Sequence, residues 1–305
     1  MQPTPERASP GADHRFPMRR AGAGGLPVVL LDGAVPGISP YGSGAHVWGP
    51  VLDDLAAAGA TFAIDGAAFP AFASHADLQR HLALALQALP VDRCHVVACG
   101  DAGLAALLLA CESPGRFAGI TVVDSAAAAP VGDGVENVTL KYPPFPPGSP
   151  GMQRWALERL SYSHCHIDAP LLRDCERAAQ GDNWLGAISA MAQRAAARQW
   201  HLSVMRAKAR LFEACRSAPG IPVPVQVVWG THDPLGSLDQ GLWLFRLIAA
   251  HQPRAQFHAI NRAGALPFRE GRESFVHVVA AFRAALATVA QDPAAPGRQA
   301  LTAQG

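Results

Sequence analysis

The 305-residue sequence carries no excess of either charge. Its 25 lysines and arginines face 24 aspartates and glutamates, a net charge of +1. Without a basic surplus there is no electrostatic footprint for nucleic acid or for an anionic membrane, so the expected partner is a small molecule. A bilayer-spanning run is also missing, because every apolar stretch is short or interrupted by polar residues. The opening "MQPTPERASPGADHRFPMRRAGAGGLP" is rich in Pro, Gly and Arg and has no apolar h-region. A secretory signal is therefore not expected, and a cytoplasmic location is. The six cysteines (Cys94, Cys99, Cys111, Cys165, Cys175, Cys215) include no CxxC pair and read as reduced thiols. No internal repeat is visible.

What is present is apolar and alternating. Half of the residues are hydrophobic, enough for a sizeable core. Short apolar runs at 27–32, 60–65, 94–99, 119–125, 223–230 and 255–260 read as strands. Helical patterns over 76–89, 102–110, 239–250 and 273–289 fall between or after them. In the last, Phe275, Val278, Val279, Phe282, Leu286 and Val289 follow the one-face spacing of a helix packed on a sheet. Strands alternating with helices predict an α/β fold with a mainly parallel sheet covered on both faces. The expected organisation is a flexible leader over 1–24, a core over 25–125, an insertion over 126–222, the second part of the core over 223–290, and a flexible tail over 291–305. The insertion, with its Pro-rich "KYPPFPPGSPG", reads as a helical lid over the carboxyl ends of the strands, where open α/β sheets bind ligands.

Several separated segments then agree in order and spacing: "LLDGAVPG", "ACGDAGLAALLLA", "ESPGRFAGITVVDS", "WGTHDPLGSLDQG" and "PRAQFHAINRAGALPFREGRESF". In these the chain resembles the α/β-hydrolases, and among them the meta-cleavage product hydrolases, which cleave a carbon–carbon bond in ring-opened aromatic dienoates. The resemblance covers roughly residues 27 to 287. It implies an α/β-hydrolase fold with a helical lid insertion and no cofactor. Such enzymes need a nucleophile, a histidine and an orienting acid. The resemblance puts the acid at Asp233, but the nucleophile at Gly100 and the histidine at Ala265. The lid arginine that grips a substrate carboxylate falls near Cys175, the oxyanion-loop histidine on Asp32, and the aromatic after the catalytic histidine on Leu266. Without that arginine the ligand need not be an acid.

Gly100 suits the strained tip of a nucleophile elbow, because glycine tolerates an unusual backbone angle there. A one-residue shift, C99-G100-D101-A102-G103, would put Asp101 at the tip as an ester-forming nucleophile. In the ungapped register, Asp32 and Asp101 both flank the oxyanion hole. In an apolar pocket they would repel each other, and one carboxyl would rise towards an acid/base role. The alternative is that Asp32 caps a loop and Asp101 caps the helix that follows. The expected ligand contacts are Gly33, Ala34, Cys99, Gly100, Cys175, Ala265 and Leu266, with Asp32, Asp101 and Asp233 as catalytic candidates.

Other residues have plainer readings. Cys99 reads as a small core hydrophobe. The "SHCHID" cluster of His164, Cys165 and His166 reads as a surface lid segment with no metal. His232 reads as solvent-facing, His95 as hydrogen-bonded at the edge of its strand, and the charges of "VDRCH" and "MRAKARLF" as lying on solvated faces. Two functions follow. One is a non-hydrolytic enzyme (lyase, cyclase, isomerase or dehydratase); the other is an inactive relative that binds a ligand or protein partner. The sequence leaves room for a homodimer.

Overall fold

A computed structural model describes residues 16–33, 35–130, 140 and 142–291. Among the described residues, seven strands form one sheet in the order β1-β3-β2-β4-β5-β6-β7. They are β1 (Met18–Ala21), β2 (Val28–Leu31), β3 (Thr61–Ile64), β4 (Cys94–Cys99), β5 (Phe117–Val123), β6 (Val225–Gly230) and β7 (Gln256–Ile260). Only β1 is antiparallel, pairing Met18 with Ile64 and Ala21 with Thr61. The mainly parallel sheet expected from the sequence is the one formed. The leader, however, ends earlier than expected: Phe16 is buried and β1 is paired. The strand is polar because it is an edge, and MRRA carries no apolar run.

Side-chain alternation divides the sheet between two cores. In β2, Val29 and Leu31 enter one core while Val28 and Leu30 enter the other. In β6, Val225, Val227 and Trp229 face the first and Val228 the second. Helices α2 (His75–Gln87), α3 (Gly100–Glu112) and α8 (Leu238–Ala249) cover the first face. Helices α1 (Val51–Ala56) and α10 (Arg272–Gln291) cover the second, through Val51, Leu55, Phe275 and Val279. Ser74 caps α2 by accepting from Asp77 N. His95 is not at an edge. It is fully buried in β4, with Nε2 2.8 Å from Thr121 Oγ1, which in turn donates to Gln226 Oε1.

Between β5 and β6 run α4 (Pro150–Leu160), α5 (Ala169–Ala179), α6 (Asp182–Met191) and α7 (Arg194–Arg216). The short α9 (Pro267–Glu270) precedes α10. Residues 131–139, 141 and 292–305, the tail included, lie outside the described residues, as do residues 1–15.

Candidate active site at the sheet's carboxyl edge

Strand β4 passes into α3 through Gly100, whose φ is +53°. That left-handed angle costs an L side chain about 1–2 kcal/mol, so glycine relieves the turn. The positive angle falls on Gly100, and Asp101 lies in the first turn of the helix. The shifted register with Asp101 at the tip is therefore not adopted.

A Cβ on Gly100 would lie 3.4 Å from Gly33 Cα. A Cβ on Gly33 would come within 2.8 Å of Cys99 O and 3.0 Å of Gly100 Cα. The two loops touch backbone to backbone because neither residue has a side chain. Gly33 N–H donates to Cys99 Sγ at 3.0 Å. Burial pushes that thiol up, so Cys99 serves as a neutral acceptor joining the two loops rather than as a thiolate. Ser125 Oγ donates to Gly100 O at 2.6 Å and fastens the tip to the end of β5.

The carboxylates flanking this turn have different neighbours. Asp32 is buried and accepts from Ser43 Oγ at 2.9 Å. Burial pushes it up to about 7, with the charge of Asp65 adding to the rise. Its hydrogen bonds make it the loop-fixing group of the plainer expectation. Asp101 is partly exposed, and its carboxylate makes no hydrogen bond among the described residues. Helix α3 has no side-chain cap. The expected cap by Asp101 is therefore absent, because the first-turn amides receive no bond from its side chain. Burial pushes Asp101 up to about 6, opposed by the charge of Lys208. The mutual repulsion expected of Asp32 and Asp101 is not the cause of either shift: desolvation leads in both, and the charged neighbours are Asp65 and Lys208.

Lys208 also departs from expectation. It is half-buried on α7, and its Nζ donates to Ala126 O at 3.2 Å. Burial lowers its pKa, against the opposing pull of Asp101. Nearby, His75 Nε2 lies 3.3 Å from Asp101 O, and its buried ring is pushed down to about 4. In the sequence Lys208 is one cation among several in "MRAKARLF", and only the docking of α7 on α3 turns it inward.

At the end of β6, Asp233 Oδ1 accepts from Leu235 N at 2.9 Å, and Oδ2 is buried without a partner. Asp124, which follows β5, accepts from Gly230 N at 2.8 Å, and its Oδ2 is equally unpartnered. Burial raises both carboxyls, Asp233 to about 7, and the charge of Asp233 raises Asp124 further. Two buried carboxyls side by side disfavour ionising together, which is why both are raised. Asp124 was not among the residues expected to matter, although its place at the end of the apolar run "GITVV" signals a strand-end loop. Ala265 is partly exposed, with its N–H donated to Leu160 O at 2.8 Å.

Two expected ligand contacts are not presented at this edge. Leu266 is buried in the second core, between strand ends and α10. Cys175 is fully buried, with its thiol 3.5 Å from His46 Nε2 and pushed up to about 12 by burial. His46 Nε2 also lies 3.1 Å from Gly42 O, a carbonyl that needs the N–H there, so this nitrogen is not free to take the thiol proton. Ala34 lies outside the described residues.

The inserted helices are docked on the loop after β2. Gln153 Oε1 accepts from Gly42 N at 2.6 Å. A Cβ on Gly42 would overlap Cys175 O, and one on Gly37 would meet Ala187 O at 2.5 Å. Beside this contact lies a cavity of about 310 Å³, lined by Gly37, Met152, Trp184, Ile188 and Met191 among others. It does not include the elbow. Within "SHCHID", His166 Nε2 meets Ser161 Oγ at 2.8 Å while His164 Nε2 meets Glu158 O at 3.2 Å. Among the described residues no group of three or more His, Cys, Asp or Glu is placed to hold a metal ion. No helix among them is long and apolar enough to cross a membrane.

No protein-family model matches the chain, and no curated protein does. Solved structures do match. The meta-cleavage product hydrolase of Pseudomonas fluorescens IP01 superposes with a TM-score of 0.67 at 20% identity, over 88% of this chain and 93% of that one. The 2-hydroxy-6-oxo-6-phenylhexa-2,4-dienoate hydrolase of Rhodococcus sp. strain RHA1 gives 0.61 at 17% identity, over 87% and 97%. A thermophilic esterase from Thermogutta terrifontis gives 0.58 at 17%, over 89% and 93%. With a mainly parallel seven-stranded sheet, helices on both faces and a strand–turn–helix elbow in place, the chain has the α/β-hydrolase fold.

Proposed function

We propose that the protein is a small-molecule enzyme that moves protons in a lidded pocket rather than hydrolysing esters through a serine. Asp101 is its acid/base group, and the reaction is that of a lyase, cyclase, isomerase or dehydratase. The observation that carries this reading is the state of Asp101. It sits beside the elbow tip, partly exposed, with no hydrogen bond to spend its carboxylate on, and burial pushes it up to about 6. A group that titrates close to neutrality can both take and return a proton.

Two further features support the reading. The tip residue Gly100 offers no nucleophile, and Ala265 offers no imidazole to activate one. The similar solved structures are hydrolases, so the proposal is that this chain keeps the scaffold and replaces the chemistry. Asp32 then serves the loop, through Ser43. Asp233 serves the strand ends together with Asp124, and α4–α7 form the lid.

The test has two arms. The purified protein should hydrolyse p-nitrophenyl acetate and butyrate no faster than a buffer blank. A panel of small hydroxy and oxo acids, incubated in D2O and followed by NMR, should show carbon-bound deuterium or loss of water for at least one compound. Asp101→Asn should abolish that signal. Ester hydrolysis well above the blank that survives Asp101→Asn would overturn the reading. A panel with no turnover at all would leave an inactive, ligand-binding relative.

A further inference from the structure

The chain-wide charge balance conceals an uneven distribution. Helix α7 (Arg194–Arg216) carries six of the 25 lysines and arginines but only one of the 24 acids, Glu213. Some of these cations are already engaged: Arg210 pairs with Glu112, Arg216 with Glu213, and Lys208 holds Ala126 O. Arg194, Arg198 and Arg206 are exposed and make no ion pair or hydrogen bond among the described residues.

Exposed apolar groups are unevenly placed too. Nine large hydrophobic side chains are exposed among the described residues. Six of them, Tyr142, Phe145, Tyr162, Leu185, Leu202 and Met205, stand on the insertion. Two of these belong to α7: Leu202 is 45% exposed and Met205 48%. The helix buries Trp200, Ala207, Leu211 and Cys215 on one side. At 3.6 residues per turn Leu202 points about 180° away from that side, with the exposed Ala195 and Ala209 in line with it two turns to either end. Arg206 lies about 40° to one side of this apolar line, and Arg198 and Met205 about 40–60° to the other. A hollow of about 410 Å³ is lined by Ala195, Arg198, Gln199, Leu202 and Arg206.

We propose that this outer face of α7 docks on an anionic phospholipid surface, with Leu202 and Met205 among the upper acyl carbons and Arg194, Arg198 and Arg206 on the phosphates. An apolar line flanked by arginines on both sides is the pattern of a helix lying in the head-group plane. An anionic leaflet attracts each cation held near it, and the hollow between Arg198 and Arg206 admits a head group. A second copy of the chain does not fit, because two-fold pairing of this face would set its unpaired arginines against one another. A protein partner is disfavoured by size. From Arg194 to Ala209 the stripe runs about 22 Å and is about 10 Å wide, far short of the ~800 Å² that a stable protein interface takes from each side. Nucleic acid is disfavoured because Leu202, Ala195 and Ala209, at the centre of the face, offer a base nothing to stack on. The inference stands apart from the acid/base role of Asp101. It reverses one expectation from the sequence, that a nearly neutral chain has no footprint for an anionic membrane. Charges beyond a Debye length are screened, so contact is governed by the face presented and not by the total.

The experiment is co-sedimentation of the full chain with sucrose-loaded vesicles at pH 7 in roughly 0.1 M salt, where the Debye length is about 10 Å. One set is phosphatidylcholine alone, and the other replaces a quarter of it with phosphatidylglycerol. The protein should bind the anionic set more than tenfold better. Each arginine at the surface contributes about fivefold, so Arg198→Gln with Arg206→Gln should weaken that binding more than tenfold. Leu202→Ser with Met205→Ser should weaken it at least fivefold, because inserted methylenes add to the charge. Arg154→Gln with Arg177→Gln removes two exposed cations elsewhere on the insertion, each paired to an acid, and should change binding less than twofold. Equal binding to the two vesicle sets, no binding to either, or unchanged binding in either α7 pair would overturn the proposal. Binding of poly-glutamate or duplex DNA without binding of anionic vesicles would overturn it in favour of a protein or a nucleic-acid partner. A circular-dichroism melt guards against misfolding, and if a double variant is unfolded, Arg198→Gln and Leu202→Ser alone carry the same comparison.

Discussion

The contact between Gly33 and Gly100 makes a quantitative prediction, because the two glycines are required for different reasons. Gly100 has φ +53°, and a Cβ there meets Gly33 Cα at 3.4 Å, the edge of ordinary contact. Gly100→Ala therefore pays a backbone penalty of about 1–2 kcal/mol. Loss of unfolded-chain freedom offsets about 0.4–1 kcal/mol of this, so the net loss is between about 0 and 1.6 kcal/mol. In a chain of this size that is a Tm drop of at most roughly 6 °C. Gly33 carries no positive φ, but a Cβ there lies 2.8 Å from a carbonyl oxygen and 3.0 Å from a Cα, and backbone cannot rotate aside. Gly33→Ala thus loses stability through overlap alone, at the upper end of the ~1–3 kcal/mol typical of overpacking. Urea unfolding followed by far-UV circular dichroism compares the two. Gly33→Ala should be the worse by about 1 kcal/mol or more, and Gly100→Ser should resemble Gly100→Ala. A neutral Gly33→Ala would mean the loops are not in contact, and a Gly100→Ala loss beyond about 3 kcal/mol would mean the elbow is closed to any side chain.

Three other outcomes are expected. Asp101 is raised in the fold from 3.8 to about 6, so the folded state binds its proton more tightly and loses stability as pH climbs through that window. The urea midpoint of Asp101→Asn relative to wild type should therefore rise between pH 4 and 6 and level off above, and a flat difference would show that the carboxyl is not perturbed. Asp124→Asn keeps an oxygen for Gly230 N and removes one of two buried like charges. Its urea midpoint at pH 8 should exceed that of wild type, and a lower one would mean the pair is held by a compensating contact. Gln153→Leu leaves the buried Gly42 N–H without its acceptor. It should cost about 1–3 kcal/mol and speed proteolysis within 150–216, whereas unchanged cleavage would mean that this bond does not hold the insertion down.

The sheet was legible in the sequence because a strand buried on both faces writes a continuous apolar run. β2, β4 and β6 lie within a residue or two of where such runs predict them. Helix α10 was legible for the same local reason: Phe275, Val279, Phe282 and Leu286 are buried on one face. Gly100 at the elbow followed from small residues between a strand and a helix, and its φ bears that out. Edge strand β1 escaped, since an edge needs no apolar pattern and its pairing partners are 40 or more residues away.

The site itself depended on tertiary structure. Whether Asp32 or Asp101 stays free turns on Ser43, which binds one of them from eleven residues away, and on the absence of any such donor for the other. Asp124 and Asp233 are joined only because β5 and β6 are neighbours in the sheet. Lys208 reads as a solvated charge until α7 lies across α3 and brings its ammonium to Ala126. Local periodicity settles which elements form, because it is set by neighbours in the chain. The protonation and partners of a side chain are set by what desolvates it and bonds to it, and those residues come together only in the fold, from eleven positions away for Asp32 and about a hundred for Lys208.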